Sequence, residues 1–124
     1  MGAQVGPRVL VADDEGSIRL LVSSVLRRAG FDTAEAEDGQ VAIETLDAQL
    51  FDAVVLDLMM PRVDGFGVIE HVIATNPDMV EKIVVVTALP RAVAKQRVHH
   101  LCQILSKPFD PNELLAVVRE CAAR

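Results

Sequence analysis

Polar side chains that could carry out chemistry follow short apolar, β-branched stretches of this chain. Asp13 and Asp14 follow the first stretch, Asp57 the third and Lys107 the fifth, while Thr87 closes the fourth. Carboxylates with no histidine or cysteine beside them are hard oxygen ligands, which suit Mg²⁺ better than Zn²⁺. A lysine and a threonine hydroxyl facing the same point would supply a charge and a hydrogen bond to a phosphoryl group. These residue types predict a phosphoryl-transfer site with an aspartate as acceptor.

The elements that must position these side chains are strands alternating with helices. The first, third and fourth apolar runs are almost continuous, which is typical of strands covered on both faces of a parallel sheet. The second run alternates apolar and polar residues, which predicts an edge strand. The predicted strands are Arg8–Asp13, Phe31–Glu37, Asp52–Asp57, Lys82–Thr87 and Gln103–Ser106.

Segments of helical period separate these strands. The first carries apolar residues at helical spacing from Ile18 to Ala29, and Gly30 is its predicted stop. Asp110 and Pro111 predict the start of the last helix, with Glu113 placed to complete a capping box. The other predicted helices are Gly39–Gln49, Gly65–Thr75 and Arg91–His100, the last with His99 and His100 facing solvent.

This alternation predicts an α/β fold with a doubly wound, five-stranded parallel sheet and helices on both faces. In such sheets the ligand site lies beyond the carboxyl ends of the strands. The polar residues named above all fall at that edge. Asp13 and Asp14 alone could be a solvated loop, but an unpaired Asp57 at the end of a buried strand would be costly. One shared site explains them better.

The length and composition of the chain restrict the classes of function that it can have. The chain has 124 residues and a net charge of −6, with no Trp or Tyr, so one domain that binds no nucleic acid directly is expected. It contains no apolar run long enough to cross a membrane and no signal peptide, so we expect a cytoplasmic domain with no membrane partner. Cys102 and Cys121 match no zinc spacing and are predicted to be reduced, buried thiols.

At the level of motifs, the chain resembles the receiver domain of two-component response regulators, including the chemotaxis regulators. The segments VLVADDE, VVLDLMMPRVDG, VVVTA and SKPF carry the resemblance, which spans about residues 7–122. It implies a flavodoxin-like (βα)₅ fold with strand order 2-1-3-4-5. The receiver domain would occupy residues 7–124, after a short N-terminal extension over residues 1–6. Because Met1 lies shortly before the first strand, we expect the receiver to be N-terminal, either alone or in a longer protein.

The resemblance also implies a role for each site residue. Asp57 would be the phosphoacceptor, taking its phosphoryl group from the phosphohistidine of a sensor histidine kinase or phosphotransfer protein. Asp14, Asp57 and the main-chain carbonyl of Met59 would bind Mg²⁺, with Asp13 acting through water and Mn²⁺ as a substitute. Thr87 and Lys107 would bind the phosphoryl oxygens.

Neighbouring residues complete the implied site. Ala88 is small and would leave the phosphoryl group access, and the Lys107–Pro108 peptide bond is expected to be cis. Gly65 is expected to relieve a strained turn in the loop after Asp57.

Three positions depart from the family pattern. Ile104 stands where receivers commonly carry the Tyr or Phe that moves together with the switch Thr, so the usual aromatic switch is absent. Met59 and Leu89 flank the expected phosphoryl entrance. Both are apolar and cannot orient a hydrolytic water, which predicts slow loss of phosphate.

The function implied is a signalling module that catalyses only its own phosphorylation and dephosphorylation. Phosphorylation would switch the face formed by helix 4, strand 5 and helix 5, for a downstream effector, an attached output domain or a homodimer. One alternative is a degenerate receiver that binds proteins independently of phosphorylation, which Ile104 favours slightly. An aspartyl-phosphate hydrolase is disfavoured, because Met59 stands where such enzymes need an acid/base Asp.

Charge is unevenly placed along the chain. No Asp or Glu occurs from Lys82 to Phe109, a stretch that includes Arg91, Lys95 and Arg97. This basic stretch is either a solvated surface or a docking surface for an acidic partner or for an identical domain.

Overall fold

The computed structural model describes residues 6–124. The predicted N-terminal extension, apart from Gly6, lies outside the described residues. The strands are parallel and lie in the order β2-β1-β3-β4-β5, which confirms the predicted fold class and strand order, with β2 at an edge. They are β1 (Arg8–Ala12), β2 (Asp32–Ala36), β3 (Ala53–Leu56), β4 (Ile83–Thr87) and β5 (Gln103–Ser106).

Helices cover both faces of this sheet. Gly30 follows the first helix with a φ of 97°, the left-handed conformation expected of a C-terminal glycine. A 3₁₀ helix over Pro77–Lys82 precedes β4 and was not predicted from the sequence. None of the helices among residues 6–124 is long and apolar enough to span a membrane. The α-helices are α1 (Gly16–Arg28), α2 (Gly39–Ala48), α3 (Gly65–Thr75), α4 (Arg91–Arg97) and α5 (Pro111–Ala122).

Two apolar cores, one on each face, hold the helices against the sheet. Because neighbouring strand residues point to opposite faces, Leu10 enters one core and Val9 the other. The first core receives side chains from α2, α3 and α4, including Val68. The second receives Leu26 of α1 and Leu114 of α5. The covered sheet fixes the strand ends, and therefore the positions of the polar residues that follow them.

The fourth helix is shorter than predicted. It ends at Arg97 and not at His100, because Val98 adopts an extended conformation with φ −132° and ψ 132°. His100 has a φ of 67°, so it cannot continue a right-handed helix. His99 and His100 are both exposed, as predicted, but they lie in the connection to β5.

The cysteines differ from the prediction of reduced thiols: Cys102 and Cys121 form a disulfide, with their Cα atoms 5.9 Å apart. The backbone N–H of Cys102 donates to the carbonyl of Ile83, which places Cys102 immediately before β5. Cys121 lies in the last turn of α5, the helix that packs on the same side of the sheet. Their separation of 19 residues in sequence concealed this proximity, because it arises only when α5 folds back over β5.

Thiol counting tests this pairing. Protein purified without reductant and unfolded in denaturant should gain no maleimide adduct, because neither sulfur is a free thiol. After reduction, both Cys102 and Cys121 should be alkylated, which intact mass spectrometry detects directly. Full alkylation before reduction would show that the sequence prediction of reduced thiols was correct.

Candidate functional site

The site lies where β1, β3, β4 and β5 end. Asp13 and Asp57 directly follow β1 and β3, and their backbone N–H groups still donate to neighbouring strands, at Ala36 and Ala12. The backbone N–H of Lys107 donates to the carbonyl of Thr87, which joins the ends of β5 and β4. Parallel pairing therefore delivers side chains from distant parts of the chain to one edge of the sheet.

Three carboxylates converge at this edge. Asp13, Asp14 and Asp57 each offer an oxygen, and these oxygens lie within 4.8 Å of one another. Asp13 and Asp57 are each 4% exposed, whereas Asp14 is exposed. Carboxylates this close repel one another, so the cluster requires a positive charge beside it.

Lys107 supplies that charge. Its Nζ donates to Asp13 Oδ2 at 2.8 Å and to Asp57 Oδ2 at 3.1 Å. Burial lowers the pKa of Lys107, but the bonds to Asp13 and Asp57 outweigh that effect and raise the pKa to about 12. The ammonium is therefore charged at any physiological pH. The Lys107–Pro108 peptide bond is cis, the isomer that the resemblance implies.

The Asp57 carboxylate is buried, and both of its oxygens have hydrogen-bond partners. Burial raises its pKa above the ordinary value, although the N–H of Met59 and the ammonium of Lys107 act in the opposite direction. The Met59 N–H donates to Oδ1 at 3.1 Å, while Lys107 contacts Oδ2. Each Asp57 oxygen thus has a fixed partner, which orients the carboxylate toward the site.

The two carboxylates after β1 have different surroundings. Asp13 has both oxygens engaged, since Oδ1 accepts from the N–H of Glu15 at 2.9 Å and Oδ2 accepts from Lys107. Asp14 has no hydrogen-bond partner among residues 6–124 and its side chain is exposed. Asp14 is accordingly the carboxylate best able to approach a cation directly.

The loop between β3 and α3 brings Met59 to the site, with its side chain 56% exposed. Gly65 was expected to relieve a strained turn, but its role is close approach: a Cβ there would lie 2.4 Å from the carbonyl oxygen of Asp57. The left-handed residue in this loop is Arg62, with a φ of 68°. Asp64 caps α3 by accepting from the N–H of Gly67.

Thr87 and Ala88 form the opposite side of the site. Thr87 is fully buried, and its Oγ1 accepts from the N–H of Leu89 at 3.3 Å. Its hydroxyl hydrogen has no acceptor within the described part of the chain and is free to be donated. Ala88 is exposed, whereas Ile104 is buried in β5.

Two polar residues near the site were missed from the sequence. Glu15 lies 3.5 Å from Lys107 Nζ. Arg19 donates from Nη1 to the carbonyl of Asp13 at 2.7 Å and from Nε to Glu35 at 3.1 Å. Arg19 thereby ties the loop after β1 to β2. The available signal was its position one helical turn into α1, directly beyond the acidic pair.

The donor set fits Mg²⁺. It consists of the carboxylate oxygens of Asp13, Asp14 and Asp57 and of the main-chain carbonyl of Met59 in the loop after β3, all of them oxygen ligands. Mg²⁺ is typically held by one or two carboxylates and keeps other positions for water and phosphate oxygens. The exposed Asp14 leaves room for those ligands.

Known proteins are similar to this chain in sequence. The chain matches the family described as "Response regulator receiver domain" over residues 9–119. It is 35% identical over 121 residues to the phosphate regulon transcriptional regulatory protein PhoB of Escherichia coli, covering 94% of this chain and 52% of that protein. It is 37% identical over 121 residues to the DNA-binding dual master transcriptional regulator RpaA of Synechocystis, covering 95% and 50%. The chain spans about half the length of these curated relatives.

Solved structures of receiver domains and response regulators have the same fold as this chain. The receiver domain of the Francisella response regulator 1452 superposes with a TM-score of 0.88 at 28% identity, covering 96% of this chain and 98% of that one. The Thermotoga maritima response regulator TrrA, in complex with Mg²⁺ and BeF, gives a TM-score of 0.84 at 29% identity, covering 93% and 98%. Sequence and fold agree over nearly the whole chain, so it belongs to the family of response regulator receiver domains.

Proposed function

We propose that Asp57 accepts a phosphoryl group from the phosphohistidine of a sensor histidine kinase or phosphotransfer protein. The phosphorylated chain would then control a downstream effector or an attached output domain. One observation carries this proposal: the buried Asp57 carboxylate lies 3.1 Å from the Lys107 ammonium and beside two further carboxylates. That arrangement offers a nucleophile, a phosphoryl-binding cation and metal ligands at one point.

Mg²⁺ would be held by Asp14, Asp57 and the main-chain carbonyl of Met59, with Asp13 acting through water. Mn²⁺ takes the same oxygen ligands and would substitute. When bound, the ion would neutralise charge on the phosphoryl oxygens. TrrA in its complex with Mg²⁺ and BeF, a relative of the same fold, supports the assignment.

Asp57 and Lys107 would carry out the phosphoryl transfer. A carboxylate oxygen of Asp57 would form the bond to phosphorus while the bond from phosphorus to the donor imidazole nitrogen breaks. The Lys107 ammonium donates to both Asp13 and Asp57 before the transfer. After it, the ammonium would donate to a negatively charged phosphoryl oxygen. Its raised pKa keeps it protonated throughout.

Thr87 would move in response to phosphorylation of Asp57. Its hydroxyl hydrogen would be donated to a phosphoryl oxygen, which draws the start of the β4–α4 loop toward Asp57. The N–H of Leu89, bonded to Thr87 Oγ1, would move with it. The phosphoryl group therefore pulls on α4 through main-chain and hydroxyl contacts, and changes the face formed by α4, β5 and α5.

Loss of the phosphoryl group would be slow. The exposed Met59 side chain and Leu89 flank the entrance, and neither can hydrogen-bond a water for attack on phosphorus. We propose that the chain catalyses only its own phosphorylation and dephosphorylation and acts on no other substrate.

The second candidate is a receiver that binds partners independently of phosphorylation. Ile104 favours it, because a buried β-branched side chain with 6% exposure cannot swing between inward and outward rotamers as an aromatic ring does. The two candidate functions differ in whether a phosphoryl group on Asp57 changes the position of α4.

Amide NMR with Mg²⁺ and the phosphoryl mimic beryllofluoride distinguishes these candidates. We expect shifts concentrated at residues 87–100, because Thr87 and Lys107 supply the differential contacts and α4 is short. The methyl groups of Ile104 should hardly move. An unchanged spectrum over residues 87–100 would favour the phosphorylation-independent candidate. A large rotamer change at Ile104 would contradict the argument from its stiffness.

A further inference from the structure

The loop between β1 and α1 carries Asp14, the carboxylate best able to bind a cation directly. Asp13 follows the last residue of β1, and its backbone N–H still donates to the carbonyl of Ala36 in β2. Asp14 comes one residue later, and its exposed side chain has no hydrogen-bond partner in the described part of the chain. The orientation of Asp14 therefore depends on contacts that its neighbours make.

Arg19, one turn into α1, holds this loop at two points. Its Nη1 donates to the carbonyl of Asp13 at 2.7 Å, and its backbone N–H donates to the carbonyl of Glu15 at 2.9 Å. The Asp13 carbonyl belongs to the peptide unit that joins Asp13 to Asp14, and a peptide unit is planar and rigid. A bond to that carbonyl therefore fixes the plane of the backbone immediately before the Asp14 side chain.

The side chains within the loop do not provide this restraint. Glu15, the residue before α1, makes no side-chain cap of the helix. The backbone N–H of Glu15 donates to Asp13 Oδ1 at 2.9 Å, which closes a turn around Asp14. That bond engages the carboxylate of Asp13 and not its carbonyl, so the link between the carbonyl and α1 is made by Arg19.

The guanidinium of Arg19 is itself fixed by a second partner. Its Nε donates to Glu35 Oε1 in β2 at 3.1 Å, and the Arg19 side chain is only 21% exposed. Because a guanidinium presents its N–H groups in a rigid, planar fork, bonds at both Nη1 and Nε leave it one orientation. Arg19 therefore links the Asp13 carbonyl to the neighbouring strand.

Arg27 provides a comparison within the same helix. It donates to the other oxygen of Glu35, Oε2, at 3.4 Å, and its side chain is 54% exposed. Among residues 6–124 it forms no hydrogen bond with the loop after β1. The two arginines thus share their charge, their helix and their acidic partner, and they differ in the bond to Asp13.

We propose that Arg19 is a positioning residue for the divalent cation, because its bond to the Asp13 carbonyl orients Asp14 for direct binding. This inference rests on the proposed function, in which Asp14 is a ligand of Mg²⁺. A positive side chain near a cation also repels it, so removal of the charge alone would strengthen Mg²⁺ binding. Loss of positioning weakens it. The direction of the change in affinity therefore separates the two effects.

Calorimetric titration of the full chain with MgCl₂ measures that direction. Arg19→Gln should weaken Mg²⁺ binding about tenfold, the lower end of the losses typical of residues that orient metal ligands. Arg27→Gln removes the same charge beside the same Glu35 and should bind Mg²⁺ as the parent does. An unchanged or higher affinity in Arg19→Gln, or an equal loss in the two variants, would overturn the inference.

Arg19→Lys tests whether the fork is required. The variant keeps the positive charge, but an ammonium cannot reproduce the geometry of the two guanidinium bonds, so Mg²⁺ binding should again be weaker than in the parent. An affinity equal to that of the parent would show that charge at this position is sufficient and would refute the positioning role. Amide NMR of each metal-free variant checks that it is folded, with changes expected mainly at residues 13–16.

Phosphorylation by acetyl phosphate, followed by intact mass, separates this inference from the proposed function. Arg19→Gln should need about tenfold more Mg²⁺ for its half-maximal rate, with the rate of the parent restored at saturating Mg²⁺. A rate that stays low at saturating Mg²⁺ would refute a role in metal positioning. If the parent binds no Mg²⁺ and gains no phosphate, the proposed function fails. If the parent does both and Arg19→Gln binds Mg²⁺ equally well, this inference alone fails.

Discussion

Replacing Lys107 with Met is expected to lower the free energy of unfolding by about 3 kcal/mol in metal-free buffer, the cost of removing one partner from a buried ion pair. The Lys107 side chain is 12% exposed, and those of Asp13 and Asp57 are 6% and 4% exposed. Without the ammonium, two buried carboxylates face each other with no compensating charge. Mg²⁺ should recover part of the loss, because a cation at the same carboxylates supplies the missing charge.

The pH dependence follows from the direction of each pKa. The pKa of Lys107 is raised from 10.5 to about 12, so its stabilisation is fully present below 10.5 and is lost as the pH rises through about 12. Burial raises the pKa of Asp57, so the cost of burying its negative charge disappears as the carboxylate is protonated, when the pH falls through that raised value. The difference in the free energy of unfolding between Lys107→Met and the parent should therefore become smaller in acid.

Urea unfolding measures this effect, and Lys95→Met is the matched control. Lys95 is exposed and has no ion-pair partner among the described residues, so the same change of side chain should alter stability by less than about 0.5 kcal/mol. Equal losses in the two variants would show that the Lys107 ammonium does not hold the carboxylates together.

Mg²⁺ affinity should depend more on Asp14 than on Asp13. Asp14 is exposed and without a hydrogen-bond partner in residues 6–124, so its oxygens can bind a cation directly. Both oxygens of Asp13 are already occupied, by Lys107 and by the N–H of Glu15. Asp14→Asn should therefore weaken Mg²⁺ binding by more than about tenfold, and Asp13→Asn by less.

Calorimetric titration of the two variants against the parent measures the difference. The variants are a matched pair, since each replaces one carboxylate with an amide at neighbouring positions. A larger loss for Asp13→Asn would reverse the assignment of direct and water-mediated ligands. Equal affinities in the parent and both variants would show that the carboxylate cluster is not a metal site.

The convergence of the site could be predicted from sequence because it depends on few physical facts. Near-continuous apolar runs required a covered parallel sheet, and parallel strands bring their carboxyl ends to one edge. Asp13 and Asp57 each follow such a run and Thr87 closes another, so their proximity required no knowledge of side-chain packing. The family motifs then suggested which group plays which role.

Features that depend on tertiary packing could not be predicted. The end of α4 is decided by Val98, which turns inward to the first core and leaves the helix. The pairing of Cys102 with Cys121 depends on where α5 crosses the sheet. The requirement for Gly65 comes from the Asp57 carbonyl, a contact between backbones that residue types alone do not reveal.

The central claim is that Asp57 receives the phosphoryl group, and intact mass spectrometry tests it most directly. With Mg²⁺ and acetyl phosphate as the donor, the parent chain should gain the mass of one phosphate, and Asp57→Asn should gain none. Asp78→Asn, which changes an exposed carboxylate in the 3₁₀ helix before β4, at the opposite end of that strand from the site, should gain the same mass as the parent. An equal gain in Asp57→Asn and the parent would contradict the assignment of Asp57 as the phosphoacceptor.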